Sequence, residues 1–213
     1  MKNPINFIMD FETMGQDVLA VPILDVAYTT FDWSRFTSDN PYTFQELTMN
    51  MPTLKADVKD QVDRFGCSFT QRDLAWWTSQ GPEQKKKISP STNDLTLEVI
   101  CDTLLKYVQK QKIGIWWSRG NSFDPVLLHR IMRDTGNTDA INKALQFWNV
   151  RDTRTYIDAK FDFKVRNTMC PVPSKEKWKE VFKGHDSTHD VAADILRLQA
   201  VVRGENDLTQ VDL

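Results

Sequence analysis

Hydrophobic positions in the first fifty residues predict three strands. Ile5–Met9 is apolar with one interruption and ends at Asp10. Pro22–Asp32 is rich in β-branched and aromatic residues, which favours a second strand. Tyr42–Met49 alternates between apolar and polar residues and predicts a third strand. Together they predict an antiparallel meander.

Further along, the apolar spacing becomes helical in places. Two further strands are predicted, over Ile113–Trp117 and Phe147–Val150. Five helices are predicted over Thr70–Ser79, from Asn93 or Asp94 to about Lys110, over Phe123–Arg133, from Asp152 to about Phe161 and from about Thr188 to Val202. This order predicts an α/β protein with a mixed five-stranded sheet flanked by helices. A single domain is expected over residues 1–204, followed by a polar, mobile tail over residues 205–213.

Composition narrows the class of protein. The chain is 40% hydrophobic and 26% charged, and it lacks a long apolar run or a signal-peptide pattern. We therefore expect no membrane span and a cytoplasmic location, in the host cytoplasm if the protein is viral. Cys67, Cys101 and Cys170 are scattered, which indicates a reducing compartment and argues against a zinc cluster. A net charge of −2 disfavours a nucleic-acid packaging protein but not a nuclease, whose bound cations supply positive charge.

Carboxylates supply the candidate chemistry. Asp10 and Glu12 stand two apart on a strand, so their side chains share a face, and a divalent cation between them would relieve their repulsion. Alone, such a pair is more typical of a solvated strand end. Asp124 starts a helix after an apolar strand, and alone it would be an ordinary helix N-terminal acid. His185 stands five residues before Asp190 at another helix start, where a histidine suits proton abstraction.

The three elements together resemble the DEDDh, or DnaQ-like, family of 3′→5′ exonucleases. Asp10–Thr13 matches the first motif, Phe123–Asp124 the second, and His185 with Asp190 the third, over residues 5 to about 202. Within that family the chain is similar to the exonuclease A group of tailed phages and the related mycobacterial exoribonuclease-like group. The segments that carry this narrower likeness are Trp76–Gln80, Trp117–Asp124 and Phe147–Thr155.

The resemblance implies a ribonuclease-H-like fold and an activity. Two Mg²⁺ or Mn²⁺ ions would be held by Asp10, Glu12, Asp124 and Asp190, with His185 as the general base. The substrate would be the 3′ end of DNA or RNA, with DNA slightly favoured, and the products nucleoside 5′-monophosphates. Candidate substrate-binding residues are Thr13, Met14, Gly15, Trp77, Arg119 and Phe123. Trp76 is expected in the core.

Some alternatives stay open in the sequence. His189 and Asp194 repeat the offset of His185 and Asp190; the earlier pair is favoured because His185 follows Gly184 and small apolar residues follow Asp190. On that choice His189 lies outside the reacting centre or is exposed, and Asp194 is a solvated helix acid. Gly120 stands where the second motif usually has asparagine, which leaves open how this loop contacts the substrate strand.

Two other classes of function compete with an exonuclease. One is a catalytically silent nucleic-acid-binding module on the same fold, which the complete set of acids and histidine argues against. The other is an endonuclease or integrase, which the C-terminal histidine motif disfavours. Four lysines flank Trp178 before His185 and are candidates to follow a nucleic-acid backbone, although a solvated helix face is the commoner explanation: Lys175, Lys177, Lys179 and Lys183.

Overall fold

A mixed five-stranded sheet organises the protein. The structure is a computed structural model that describes residues 4–161 and 182–204. Within them the strand order is β3-β2-β1-β4-β5, with β1 antiparallel to β2 and parallel to β4. The strands are β1 Asn6–Thr13, β2 Ile23–Phe31, β3 Thr53–Lys55, β4 Ile115–Ser118 and β5 Val150–Asp152. This confirms the predicted sheet and the ribonuclease-H-like architecture.

Helices cover both faces of the sheet. The α-helices are α1 Phe44–Met49, α2 Val58–Phe65, α3 Gln71–Ser79, α4 Pro82–Ile88, α5 Leu97–Gln111, α6 Asp124–Asp134, α7 Thr138–Ala144, α8 Thr153–Lys160 and α9 Ser187–Arg203. Short 3-10 helices cover Trp33–Thr37 and Phe147–Asn149. In the part of the chain that is described, no helix has the length and apolar character of a membrane span.

Strand alternation divides the buried residues into two cores. Phe7 and Trp116 point to one face, where they pack with residues of α5 and α6. Ile8 and Trp117 point to the other face, where α9 supplies Ile195 and its neighbours. The central strand β1 is therefore covered on both sides, and residues at its carboxyl end are held between two packed layers.

The predicted third strand over Tyr42–Met49 is wrong, because most of that segment forms α1. The Thr43 side chain accepts a hydrogen bond from the Glu46 backbone N–H and caps the helix, which buries Phe44 and Leu47 three residues apart on one face. The third strand of the sheet is β3, in a segment for which the sequence predicted no element.

Two predicted boundaries also shift. The helix α5 begins after Thr96, because Asp94 accepts hydrogen bonds from Lys55 Nζ and the Ser91 N–H instead of capping a helix. The predicted strand Phe147–Val150 is a 3-10 helix followed by β5. The helices predicted to begin at Thr70 and at Asp152 are confirmed, and these two residues are their N-caps. The last helix ends at Gly204, which adopts a left-handed conformation with φ 69°.

Several predictions concern residues outside the described ranges. They are the mobile tail over residues 205–213, the thiol of Cys170, and the contact with a nucleic-acid backbone expected of Lys175, Lys177 and Lys179. Of the other two cysteines, both Cys67 and Cys101 are buried free thiols.

Candidate active site

The acids of the first motif lie near the carboxyl end of β1. The strand continues past Asp10 to Thr13, so Asp10 and Glu12 share one face of a regular strand. Glu12 is 7% exposed. One ligand oxygen from each of Asp10, Glu12 and Asp190 lies within 4.8 Å of the others. Three carboxylates from two distant segments therefore converge on one point.

The third of these acids arrives on α9, which packs against β1 and β2. The Asp186 side chain caps this helix by accepting hydrogen bonds from the backbone N–H groups of Thr188 and His189. Its own N–H donates to Asp190 Oδ2 at 3.3 Å. The cap thus orients Asp190, in the first turn of the helix, towards the strand acids.

A fourth acid, Asp124, is the first residue of α6 and is buried. Its Oδ1 accepts a hydrogen bond from the Phe11 backbone N–H at 3.1 Å, which fixes it beside β1 between the positions of Asp10 and Glu12. Asp124 is not part of the tight group of three oxygens. It is nevertheless the carboxylate whose charge most strongly raises the pKa of Asp10.

Burial and mutual repulsion raise the pKa of every acid in this cluster. Burial raises the pKa of Glu12 to about 9, with Asp190 and Asp25 adding to the effect. Burial also raises the pKa of Asp124 to about 7 and that of Asp190 to about 6. Such a set is costly without a counter-ion, and its all-oxygen donors fit a hard divalent cation such as Mg²⁺ or Mn²⁺.

His185 stands at the rim of the cleft that contains Glu12. Its backbone has φ 59°, a left-handed conformation that non-glycine residues adopt at a cost of about 1–2 kcal/mol. The imidazole meets the Trp76 ring edge to face, with the centroids 4.7 Å apart. Burial lowers the pKa of His185, so the ring is neutral and able to accept a proton near neutral pH.

His189 occupies a different environment. Its Nδ1 accepts a hydrogen bond from the Lys183 N–H at 2.9 Å, and its ring packs edge to face on Phe44, 5.1 Å between centroids. It belongs to the contacts between α9 and α1 and does not line the cleft. The two histidines thus differ in surroundings, since His185 lines the same cleft as Glu12 and His189 packs against Phe44.

The expectation that Asp194 is a solvated helix acid is wrong. Its side chain is 3% exposed and accepts hydrogen bonds from Arg119 at 3.0 Å, Arg197 at 2.7 Å and the Thr153 hydroxyl at 2.7 Å. Although burial opposes ionisation, the two arginines hold the pKa of Asp194 below its ordinary value. Asp194 is a structural anion that ties α9 to β4 and α8.

Arg119 was a candidate for holding phosphate, but the structure gives it another partner. Its Nη1 donates to Asp194 Oδ1, and the side chain is 16% exposed. For Arg119 to turn towards a substrate it would have to give up this buried ion pair with Asp194. Arg119 is not among the residues that line the cleft.

The segment after β1 forms one wall of the cleft, which has a volume of about 1130 Å³. Thr13, Met14 and Gly15, the residues expected to face a terminal nucleotide, line it. The Thr13 hydroxyl donates to Gly15 O at 2.6 Å, and a side chain at Gly15 would come within 3.1 Å of the Asp73 carboxylate. Phe123 closes the opposite side next to Asp124.

Both tryptophans of α3 line the cleft, but to different extents. Trp77 is 2% exposed, and its Nε1 donates to Thr13 O at 3.0 Å. Trp76, which was expected in the core, is 41% exposed and lines the cleft. Adjacent helix positions point about 100° apart, and the packing of α3 decides which of the two turns inwards.

The sequence analysis missed other residues at the site. Lys87 from α4 forms an ion pair with Asp25, and the Ser187 hydroxyl donates a hydrogen bond to the same carboxylate at 2.6 Å. The charges of Asp25 and Lys87 both act on Glu12. Arg154 also lines the cleft, and its charge acts on the Asp124 carboxylate. No local sequence pattern indicates Lys87, Asp25 or Ser187. For Arg154 the one local signal is its position in the first turn of a helix, where a basic residue is unusual.

Comparison with known proteins assigns the chain to a family. Residues 5–192 match the family model described as the 3′-5′ exoribonuclease Rv2179c-like domain. The chain belongs to this exonuclease family. The chain is also 34% identical, over 93% of its own length and 89% of the relative's, to the exodeoxyribonuclease of Enterobacteria phage T4. The family resemblance proposed from the three motifs is thereby confirmed.

Solved structures of exonuclease I share the fold of this Rv2179c-like domain. The Escherichia coli enzyme in complex with a dA16 oligonucleotide superposes with TM-score 0.59 at 13% identity, over 94% of this chain and 41% of that one. The enzyme from Methylocaldum szegediense gives 0.55 at 14% identity, over 93% and 40%. A zinc-bound E. coli complex with single-stranded DNA gives 0.56 at 13% identity, over 98% and 41%. The chain spans about two fifths of these proteins.

Proposed function

We propose that this chain is a divalent-metal-dependent 3′→5′ exonuclease that releases nucleoside 5′-monophosphates from polynucleotide 3′ ends. The observation that carries the proposal is the convergence of Asp10, Glu12 and Asp190, whose ligand oxygens lie within 4.8 Å of one another, with Glu12 lining an open cleft. Membership of an exonuclease family supports the same reaction class.

The proposed ligands are Asp10, Glu12, Asp124 and Asp190, all of them oxygen donors with raised pKa values. Divalent ions bound there supply positive charge beside the phosphate under attack and the leaving 3′-oxygen. Since the cluster is buried and mutually repulsive, cation binding also relieves a cost that the folded protein otherwise bears.

His185 is the proposed general base. A water molecule attacks phosphorus, the bond from phosphorus to the 3′-oxygen breaks, and a proton of that water passes to an imidazole nitrogen of His185. The neutral state favoured by the lowered pKa suits this role. The wall formed by Thr13, Met14 and Gly15 would receive the terminal nucleotide and so define the 3′→5′ direction.

DNA is the favoured substrate and RNA the second candidate. The phage T4 relative is an exodeoxyribonuclease, and its similarity extends over 93% of this chain. The family description, by contrast, names an exoribonuclease, which favours RNA. Both chemistries need the same cluster of acids, and they differ in how the cleft treats a 2′-hydroxyl.

The test is a digest of matched single-stranded DNA and RNA oligonucleotides labelled at the 5′ end, with Mg²⁺ or with chelator. We expect ladders that shorten from the 3′ end and nucleoside 5′-monophosphates as products, faster for DNA. A 3′-phosphate block should slow the digestion of either strand. Degradation of blocked and free ends at equal rates would contradict the polarity.

Two controls separate this proposal from its alternatives. The Asp10→Ala protein, purified identically, reports any contaminating nuclease. A circular single strand should stay uncut, which excludes an endonuclease. Binding of linear strands without any Mg²⁺-dependent product would identify a silent binding module instead.

A further inference from the structure

Arg154 stands where local electrostatics disfavours a cation. It lies in the first turn of α8, whose positive dipole end repels a basic side chain. The acids near it are Asp152 at the N-cap, Asp158 one turn later and Asp124. They attract the Arg154 charge without forming a hydrogen bond to it, and a residue that violates a local preference in this way is more typical of a functional site than of a structural one.

Within the described residues the Arg154 guanidinium interacts with the charges of Asp124 and Asp158, but its Nε forms no hydrogen bond. Its Nε is buried and has no hydrogen-bond partner among residues 4–161 and 182–204. Arg130 and Arg197 have a similar buried Nε, but Arg130 Nη1 donates to Val21 O at 2.6 Å and Arg197 Nη1 to Asp194 Oδ1 at 2.7 Å. A buried donor without a partner destabilises the folded protein. Arg154 is thus left with donors to offer to something outside the protein.

The position of Arg154 is firmly held. The preceding residue, Thr153, is fully buried, and its hydroxyl donates to Asp194 Oδ2 at 2.7 Å. Asp152 caps the same helix by accepting a hydrogen bond from the Thr155 N–H. These anchors fix the start of α8 at the carboxyl end of β5, which is parallel to β4, itself parallel to β1. Arg154 therefore faces the edge of the sheet that carries Glu12.

The residues that line the cleft indicate which ligand Arg154 would bind. Arg154 lines it together with Glu12, Phe123 and His185, and its charge acts on the Asp124 carboxylate without a hydrogen bond between them. When the acids of the site bind divalent cations, their negative charge is neutralised without Arg154. The planar guanidinium, with its fork of donors, then matches the oxygens of a phosphate.

We infer that Arg154 is the residue of this cleft that binds the phosphate of the terminal nucleotide. The inference rests on the proposed function, since it assumes that a polynucleotide end occupies the cleft. It assigns to Arg154 the part that Arg119, paired with Asp194, cannot take. Arg154 touches the substrate directly, and its binding is independent of base identity.

Equilibrium binding tests the inference without any need for turnover. Affinities for thymidine 5′-monophosphate and for thymidine are measured by calorimetry in Mg²⁺. Wild type should bind the monophosphate more tightly. Arg154→Gln should lower that affinity by about 10- to 100-fold, the range for a lost hydrogen bond to a charged group, and leave thymidine binding unchanged. Arg154→Lys, which keeps the charge but loses the fork of donors, should fall between them.

A matched control is available three residues earlier. Arg151 is exposed on β5 and donates to the backbone carbonyls of Trp148 and Val150, outside the cleft. Arg151→Gln should leave both affinities unchanged. If Arg154→Gln does not fold, Arg154→Lys alone decides, because a phosphate-binding role predicts a loss confined to the monophosphate.

Failure of this inference and failure of the proposed function are distinguishable. Equal losses for both ligands, no loss for either, or a wild type that binds the monophosphate no better than thymidine overturns the role of Arg154, whatever the digest shows. Monophosphate binding that depends on Arg154 in a protein that cuts no strand leaves the role standing and rejects the exonuclease.

Discussion

Glu12 and Asp25 lie directly opposite each other on β1 and β2. Like charges in this relationship are destabilising, and both side chains are buried. The Asp25 carboxylate pairs with Lys87 and accepts a hydrogen bond from the Ser187 hydroxyl, and the Lys87 charge acts to lower the pKa of Glu12. Lys87 from α4 thus supports Glu12, a proposed metal ligand, through its ion pair with Asp25.

Removing that lysine should destabilise the protein. Lys87→Met leaves the buried Asp25 without its cation, and breaking a buried pair costs about 3–5 kcal/mol. Urea denaturation measures the change. Lys85→Met, at an exposed position of the same helix, should change the free energy of unfolding by less than about 0.5 kcal/mol. Adding Asp25→Asn to Lys87→Met should recover part of the loss; equal effects of the two single lysine variants would contradict the account.

Asp10→Ala should abolish cleavage, because Asp10 is central to the carboxylate cluster. Without metal the variant should be as stable as wild type or more stable, since a repelling carboxylate is gone. Single-turnover digestion and thermal unfolding in chelator measure the two effects. Asp139→Ala, at an exposed position in the first turn of α7, serves as the control. Retention of more than about a hundredth of wild-type kcat, a loss below ~2.7 kcal/mol, would rule out the ligand role.

Stability in chelator should fall as pH rises. Glu12, Asp124 and Asp190 have folded-state pKa values of about 9, 7 and 6, above their unfolded values, so protonation favours the folded state. Their contribution is complete below about pH 4 and is lost as pH rises through those folded values. The melting temperature should therefore decline from pH 5 to pH 9 in chelator.

Saturating Mg²⁺ should flatten or reverse that decline, because bound cations stabilise the ionised acids. Glu12→Gln should make the decline in chelator shallower, since it removes the acid whose pKa is raised to about 9. Superimposable profiles with chelator and with Mg²⁺ would argue against a cation site in this cluster.

The two histidines should respond differently to alanine. His185→Ala should lower kcat by roughly 10²–10⁴, and the loss should shrink at high pH, where hydroxide needs no base. His189→Ala should mainly lower stability, because His189 packs on Phe44 and accepts a hydrogen bond from the Lys183 N–H. Kinetics of both variants in one buffer series settle the matter. A dead His189→Ala beside a nearly active His185→Ala would reverse the assignment.

The tryptophans of α3 should separate binding from stability. Trp76→Ala should raise KM for single strands by about 5- to 150-fold, the range for a lost base-stacking contact. Trp77→Ala should instead cost about 3–5 kcal/mol of folding free energy, because Trp77 is buried and bonded to Thr13 O. Steady-state kinetics and urea denaturation on both variants are the measurements, and a stability loss confined to Trp76→Ala would contradict the packing.

The sequence by itself determined those features that depend on neighbours along the chain. Asp10 and Glu12 project together because strand periodicity is two, whatever surrounds the strand. Thr70 and Asp152 cap their helices through hydrogen bonds to backbone groups three residues away. The order of the acidic motifs was sufficient to indicate the family.

Tertiary structure alone decided which of several similar residues meet. Phe44 and Leu47 form a helix instead of a strand because Thr43 caps it and their common face is buried. Asp194 differs from Asp190 because Arg119, 75 residues away in sequence, pairs with it. Arg154 faces the cleft because the hydrogen bond between Thr153 and Asp194 fixes the start of α8. Burial and ion pairing depend on contacts between distant segments, and no local pattern contains them.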